Sequence, residues 1–168
     1  PHDADLHCDH EVTSVRPTQD PHVCATCGAH YPGGAAAPDV CAICSDERQY
    51  VPVTGQVWLR HSTLLADRGT SFTVAEHDLW EVGVEPVVGI GQRGLLVRTD
   101  EGNVLWACVP VLTDAGRERL EELGGVEAIA VSHPHFYTGA ALFADAFGAR
   151  VVLHGADRQH VTYPSRRI

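Results

Sequence analysis

The stretch Ala128-Ile-Ala-Val-Ser132-His-Pro-His-Phe-Tyr-Thr-Gly139-Ala-Ala-Leu-Phe-Ala-Asp-Ala-Phe147-Gly-Ala-Arg150-Val-Val-Leu-His154 decides the fold class. Ala128–Ser132 is a short apolar run without alternation, the pattern of a strand buried on both faces. Gly139–Phe147 has helical composition and is stopped by Gly148. Arg150–His154 is β-branched and apolar again. Strand, helix and strand in succession predict an α/β sheet with buried strands.

Working upstream, Thr113–Leu123 predicts a second helix. Leu112, Leu120 and Leu123 supply its apolar face, and Gly124-Gly125 ends it. Val104–Val109 reads as a buried strand. Asp100-Glu-Gly-Asn103 is a hairpin turn signal, and Val87–Ile90 and Leu95–Thr99 are β-rich runs around a glycine turn. The predicted order is therefore β-β-β-α-β-α-β. Before it, Thr63–Asp67 suggests a helical turn, and Thr70–Val74 and Leu79–Val82 suggest extended segments. Residues 1–21 are polar, contain Pro17 and Pro21, and lack periodicity, so they read as a disordered leader. His2, His7, Cys8 and His10 lie there without a scaffold to preorganise them for a metal. The chain divides into this leader, a cysteine module at 22–50, and a larger domain at 51–168.

Composition narrows the function classes. A hydrophobic content of 44% permits a packed core in 168 residues. The net charge of −10 argues against nucleic acid as the main partner, because phosphate binding needs clustered positive charge. No run approaches the ~20 apolar residues of a membrane span, and the polar, acidic start lacks a signal peptide. The expectation is a cytoplasmic protein with a small-molecule substrate and no nucleic-acid or membrane partner. All twelve basic residues are Arg and Met is absent, even at position 1, which reads as a high-GC gene and an incomplete or processed start.

Four of the six cysteines form two C-x2-C pairs, Cys24-Ala-Thr-Cys27 and Cys41-Ala-Ile-Cys44, with thirteen residues between them. Each pair turns two thiolates toward one point, with Gly28 easing the first turn, and the two pairs together make a tetrahedral four-sulfur site. Such a closed set leaves no position for water, so its ion is structural. Zinc is the first expectation; a rubredoxin-like iron centre or a redox pair are the alternatives. Cys108 lies in the apolar strand and reads as a small buried hydrophobe. Gly89-Ile-Gly91-Gln92-Arg93-Gly94 matches G-x-G-x-x-G, but a strand follows it rather than a helix, so it reads as a glycine-rich turn and not a phosphate cradle.

His133-Pro-His135 occupies a strand-to-helix loop at the C-terminal end of its strand, where open α/β sheets place ligand sites. On an extended backbone stiffened by Pro134, two such histidines can aim at one point. From about Cys41 onward the chain resembles the metallo-β-lactamase-fold hydrolases, and a branch of them with an N-terminal cysteine module, in phrases such as Cys44-Ser-Asp-Glu-Arg-Gln-Tyr50, Gly102-Asn-Val-Leu-Trp106 and Ser132-His-Pro-His135. The resemblance implies the N-terminal half of an αββα sandwich preceded by a small zinc-knuckle module. His133 and His135 match the first two positions of the family's H-x-H-x-D-H motif, whereas Tyr137 and Thr138 stand at the Asp and last His. Both are poor ligands for divalent metals at neutral pH. The resemblance thus implies at most a mononuclear site, in which zinc or another divalent ion on His133 and His135 with an open position would acidify water for hydrolysis. Its third histidine is expected beyond residue 168, so the chain reads as the front part of a longer protein. His154 is expected to be a strand-end histidine, and Asp157, with His160 nearby, to charge a helix start. A non-catalytic metal-binding or regulatory protein on the same fold is the competing reading, motivated by Tyr137 and Thr138.

Overall fold

A computed structural model describes residues 20–46 and 51–168. The leader histidines and Cys8 lie outside the described residues, as do positions 47–50. Two sheets make up the described chain. The first is small, in the order β2-β1-β3, and pairs β1 (His22–Cys24) antiparallel with both β2 (His30–Tyr31) and β3 (Trp58–Arg60). It carries the cysteines. Helix α1 (His61–Asp67) follows, where the sequence predicted a turn at 63–67.

The second sheet has six strands in sequence order. Strands β4 (Gly69–Glu76), β5 (Leu79–Glu85), β6 (Gly94–Val97) and β7 (Val104–Trp106) form an antiparallel meander. Strands β7, β8 (Ala128–Val131) and β9 (Arg150–Leu153) are parallel and joined by α2 (Asp114–Glu122) and α3 (Ala140–Phe147). Parallel neighbours require such crossovers. Thr113 caps α2 by accepting a hydrogen bond from the Gly116 N–H at 3.0 Å, with Asp114 in the first turn and Arg119 in the last to complement the helix dipole. Helix α3 has no side-chain cap; it forms because Ala140, Ala141, Phe143 and Ala144 bury, and Gly148 ends it in the left-handed conformation at φ 69°.

One expected strand is absent among the described residues. Val87–Ile90 is not a strand: Val87 and Ile90 are exposed, Val88 alone is buried, and Gly89 and Gly91 have positive φ. The apolar signal came from a single side chain tucked under a loop. The strand that pairs with β6 is β5, longer than the sequence suggested.

Strand alternation sorts the large sheet into two faces. Trp80, Leu96, Leu105, Ile129 and Val151 are in register across it. This row joins Leu120 of α2 and Phe143 of α3 in the core, and the Arg119 guanidinium lies 5.0 Å from the Trp80 ring. The opposite row runs Glu81, Leu95, Trp106, Ala130, Val152. Here Trp106 is 51% and Val152 53% exposed, and no described helix covers them. No described helix is long and apolar enough to cross a membrane.

Candidate metal centres at the junction of the two sheets

Each C-x2-C turn is closed by the same hydrogen bond. The N–H after the second cysteine donates to the first cysteine's carbonyl: Gly28 to Cys24 at 2.8 Å and Ser45 to Cys41 at 2.9 Å. This directs both thiols of a pair inward. The four sulfurs lie within 4.8 Å of one another, with Cys24–Cys44 at 3.7 Å and Cys27–Cys41 at 3.6 Å. A tetrahedron with metal–sulfur bonds of about 2.3 Å has edges of about 3.8 Å, whereas a disulfide needs about 2.05 Å. The donor set and spacing therefore suit one ion. All four cysteines are buried and free. Two outer donors face the sulfurs: the Tyr31 hydroxyl reaches Cys41 Sγ at 3.4 Å and Gln56 Nε2 reaches Cys24 Sγ at 3.2 Å. Such donors steady thiolate charge.

Without a cation the cluster cannot carry four negative charges. Hydrogen bonds from the Cys27 and Cys41 thiols pull the Cys24 thiol pKa down. The hydrogen bonds with Cys24 and Cys41, and then burial, hold the Cys27 proton on. Burial first, then repulsion from Cys41 and Cys24, pushes Cys44 up to about 12. A divalent ion reverses this by deprotonating its thiol ligands.

The histidine loop begins where β8 ends. His133 is extended (φ −154°, ψ 144°) and caps a 3-10 turn over Pro134–Phe136, its Nδ1 accepting from the His135 N–H at 3.3 Å. The imidazoles are thus brought together by a tight turn, not by the extended backbone expected from the sequence. Their rings stack at 5.0 Å and 22°, with the Nδ1 atoms 3.2 Å apart. Two nitrogens on one tetrahedral ion at 2.0–2.1 Å stand about 3.3 Å apart, so the spacing suits a shared ion once the His133 Nδ1 lone pair is released from the His135 N–H. His135 is buried and His133 exposed.

Both rings open on a pocket whose other wall is the second cysteine turn, through Ala42, Ile43 and Asp46, with His160 at its rim. Among the described residues only the four cysteines form a preassembled group of three or more ligands within 4.8 Å, so Asp46 and His160 share the pocket without completing such a set with the histidines.

The junction is held by the glycine-rich loop 86–93. Gln92 is buried, and its Nε2 donates to the Cys27 carbonyl and, at 3.0 Å, to the His135 carbonyl. A Cβ on Gly89 would come within 3.0 Å of the Cys27 carbonyl carbon and the Gly28 nitrogen. The G-x-G-x-x-G run is thus a backbone clamp on the cysteine turn, with β6 rather than a helix after it.

Tyr137 and Thr138 line a different cavity, with Val151, Leu153 and Tyr163, and not the histidine pocket. Burial, and then the Asp157 carboxylate, raise the Tyr137 pKa to about 12. His154 is exposed and caps the turn at 155–160, its Nδ1 accepting from Ala156 N–H at 3.2 Å; Asp157 lies in that turn's first residues. Cys108 is fully buried, and burial pushes its thiol up. Sequence reasoning missed Gln92 and Gln56, because each acts across a long gap in the chain, and Tyr31, because it opens a run whose composition signals only turn and loop.

No family model matches the chain. It is 37% identical over 152 residues to the uncharacterized protein YmaE of Bacillus subtilis (strain 168), an overlap of 88% of this chain and 54% of that protein. The chain thus spans about half the length of the curated relative it matches. Two solved structures are similar over part of the fold. A HARLDQ-motif mutant of a metallo-beta-lactamase from Cronobacter sakazakii gives a TM-score of 0.42 at 26% identity, covering 54% of this chain and 37% of that one. The Cronobacter sakazakii metallo-beta-lactamase with the HARLDQ motif gives 0.40 at 23%, covering 52% and 35%.

Proposed function

We propose that the chain belongs to a metallo-β-lactamase-like, metal-dependent hydrolase in which Cys24, Cys27, Cys41 and Cys44 hold a structural zinc ion and His133 and His135 supply two ligands of a single catalytic metal. The observation that carries the second half is the 3.2 Å separation of the two Nδ1 atoms at the C-terminal end of β8. An ion held there with an open position would supply Lewis acidity to a small-molecule substrate in the pocket. The residues' part is to hold and aim it: the 3-10 turn fixes the rings, Gln92 fixes the His135 backbone, and the cysteine turn walls off solvent on one side. A dinuclear site is not proposed, because Tyr137 and Thr138 face another cavity. The same observation favours a second reading, a non-catalytic metal-binding or regulatory protein.

Metal analysis tests the proposal. The purified protein should carry two equivalents of metal, falling to one on His133→Ala with His135→Ala. One equivalent in both proteins would defeat it. Hydrolytic turnover lost on His133→Ala separates the enzyme from the regulatory reading. A colourless metal-loaded protein rules out a ferric thiolate centre, which absorbs in the visible, and elemental analysis then distinguishes zinc.

A further inference from the structure

Gln92 has no place in either ligand set, yet its side chain touches the backbone of both. Its amide orientation is fixed by chemistry: both neighbours are carbonyl oxygens, so the nitrogen must face them, and a flipped amide would crowd three oxygens together. It is buried, so neither hydrogen bond has a water to replace it. It links positions 65 residues apart on one side and 43 on the other. Around it the contact between the two centres is close. Gly28 adopts φ +74°, and a Cβ there would sit 3.2 Å from Pro110. Gly89 lies against the Cys27–Gly28 peptide with no room for a methyl group. Ala42 and Ile43, between the second pair of cysteines, form a wall of the histidine pocket.

We propose that Gln92 is a positioning residue that couples the two metal centres, so that the histidine pair binds its ion tightly only when the four-cysteine site is filled. This rests on the reading of His133 and His135 as ligands. The coupling follows from the geometry. An ion shared by the four cysteines would pin both ends of the first turn, which is otherwise closed only by the Gly28 N–H to Cys24 carbonyl hydrogen bond, and the Cys27 carbonyl that accepts from Gln92 is part of that turn. Its displacement frees the Gln92 amide, and the His135 carbonyl loses its buried donor. The turn that stacks His135 on His133 then loses its anchor. Linkage makes the effect reciprocal: an ion on the histidines must strengthen retention of the ion on the cysteines by the same factor.

Cobalt(II) is the probe, titrated into the metal-stripped full-length protein. Thiolate-to-cobalt charge transfer in the near ultraviolet reports the cysteine site, and isothermal calorimetry counts both. In the unsubstituted protein the thiolate band should saturate first and a second equivalent should follow. In Gln92→Leu the thiolate band should be unchanged and the second equivalent should bind at least tenfold more weakly. A second measurement avoids any fold defect in that variant. The unsubstituted protein with both sites filled should lose thiolate-bound cobalt to a chelator more slowly than His133→Ala does. A single equivalent in the unsubstituted protein overturns the histidine site itself, and this inference with it. Two equivalents with equal second-site affinity in Gln92→Leu, or equal chelator loss in His133→Ala, overturn the coupling and leave the histidine site standing.

Discussion

Acid should loosen the seam between the two sheets before it unfolds the core, and His30 sets the size of the effect. His30 on β2 is 1% exposed, and the Pro110 backbone beside its ring favours the charged form without offsetting burial. Its ring lies 5.2 Å from His61 of α1 and 6.3 Å from Tyr163. Burial, and then repulsion from His61, lower its pKa to about 3. His61 is also lowered by burial, with Asp20 opposing. An unfolded histidine titrates near 6.5. The folded pKa is depressed, so the unfolded chain binds the extra proton. The stabilisation is complete above pH 6.5 and is lost as pH falls toward 3. At 1.36 kcal/mol per unit, His30 alone removes about 2 kcal/mol by pH 5 and about 3 kcal/mol by pH 4. The assay is urea unfolding from pH 7.5 to 5 at buffered free zinc, comparing the unsubstituted protein with His30→Phe, which keeps an aromatic ring and cannot titrate. The variant should lose about 2 kcal/mol less over that range. Identical pH slopes would refute the account of His30 as a buried neutral imidazole.

Other expectations follow from particular contacts. Cys41→Ser should abolish tight metal binding at the thiolate site and lower the Tm, since this residue is both a ligand and the acceptor for Tyr31; an unchanged metal content by plasma mass spectrometry would count against the four-sulfur assignment. Phe143→Ala empties a fully buried position between α3 and the large sheet and should cost about 3–5 kcal/mol in chemical denaturation. Thr113→Ala removes the α2 cap at about 1 kcal/mol, read the same way. Trp106→Glu, on the uncovered sheet face, should leave stability nearly unchanged while reducing binding of a hydrophobic dye, because the indole is half exposed in the folded chain.

What the sequence made legible was local. The helices at 114–122 and 140–147 follow from the glycine stops and, for the first, the apolar face of Leu112, Leu120 and Leu123, and strands β8 and β9 from short apolar runs. The cysteine cluster followed from spacing alone, because each C-x2-C turn closes on itself. The strand misread at 87–90 shows the limit: Val87, Val88 and Ile90 have β-forming side chains, but positive-φ glycines on either side of Ile90 break the chain's direction. The bridging roles were not legible at all. Gln92 to Cys27 spans 65 residues and Gln56 to Cys24 spans 32, and no local pattern distinguishes those glutamines from solvent-facing ones. Nor did anything mark Trp58–Arg60 as the strand that returns to pair with β1.

The placement of Gln92 bears on why a closed metal site should sit beside an open one. Four thiolates around an ion leave no vacancy for substrate, so chemistry cannot occur there. A histidine pair on one turn is a weak chelator by itself, since two ligands must be held against thermal motion before a third arrives. With an ion bound, the cysteine turn would offer what a loop of this length lacks: a backbone pinned at two points by metal–sulfur bonds. Gly89 and Gln92 carry that rigidity across to His135 through one buried amide. On the proposed reading, a thiolate-bound ion would be structural in a specific sense, because the element it would stiffen is a wall of the histidine pocket.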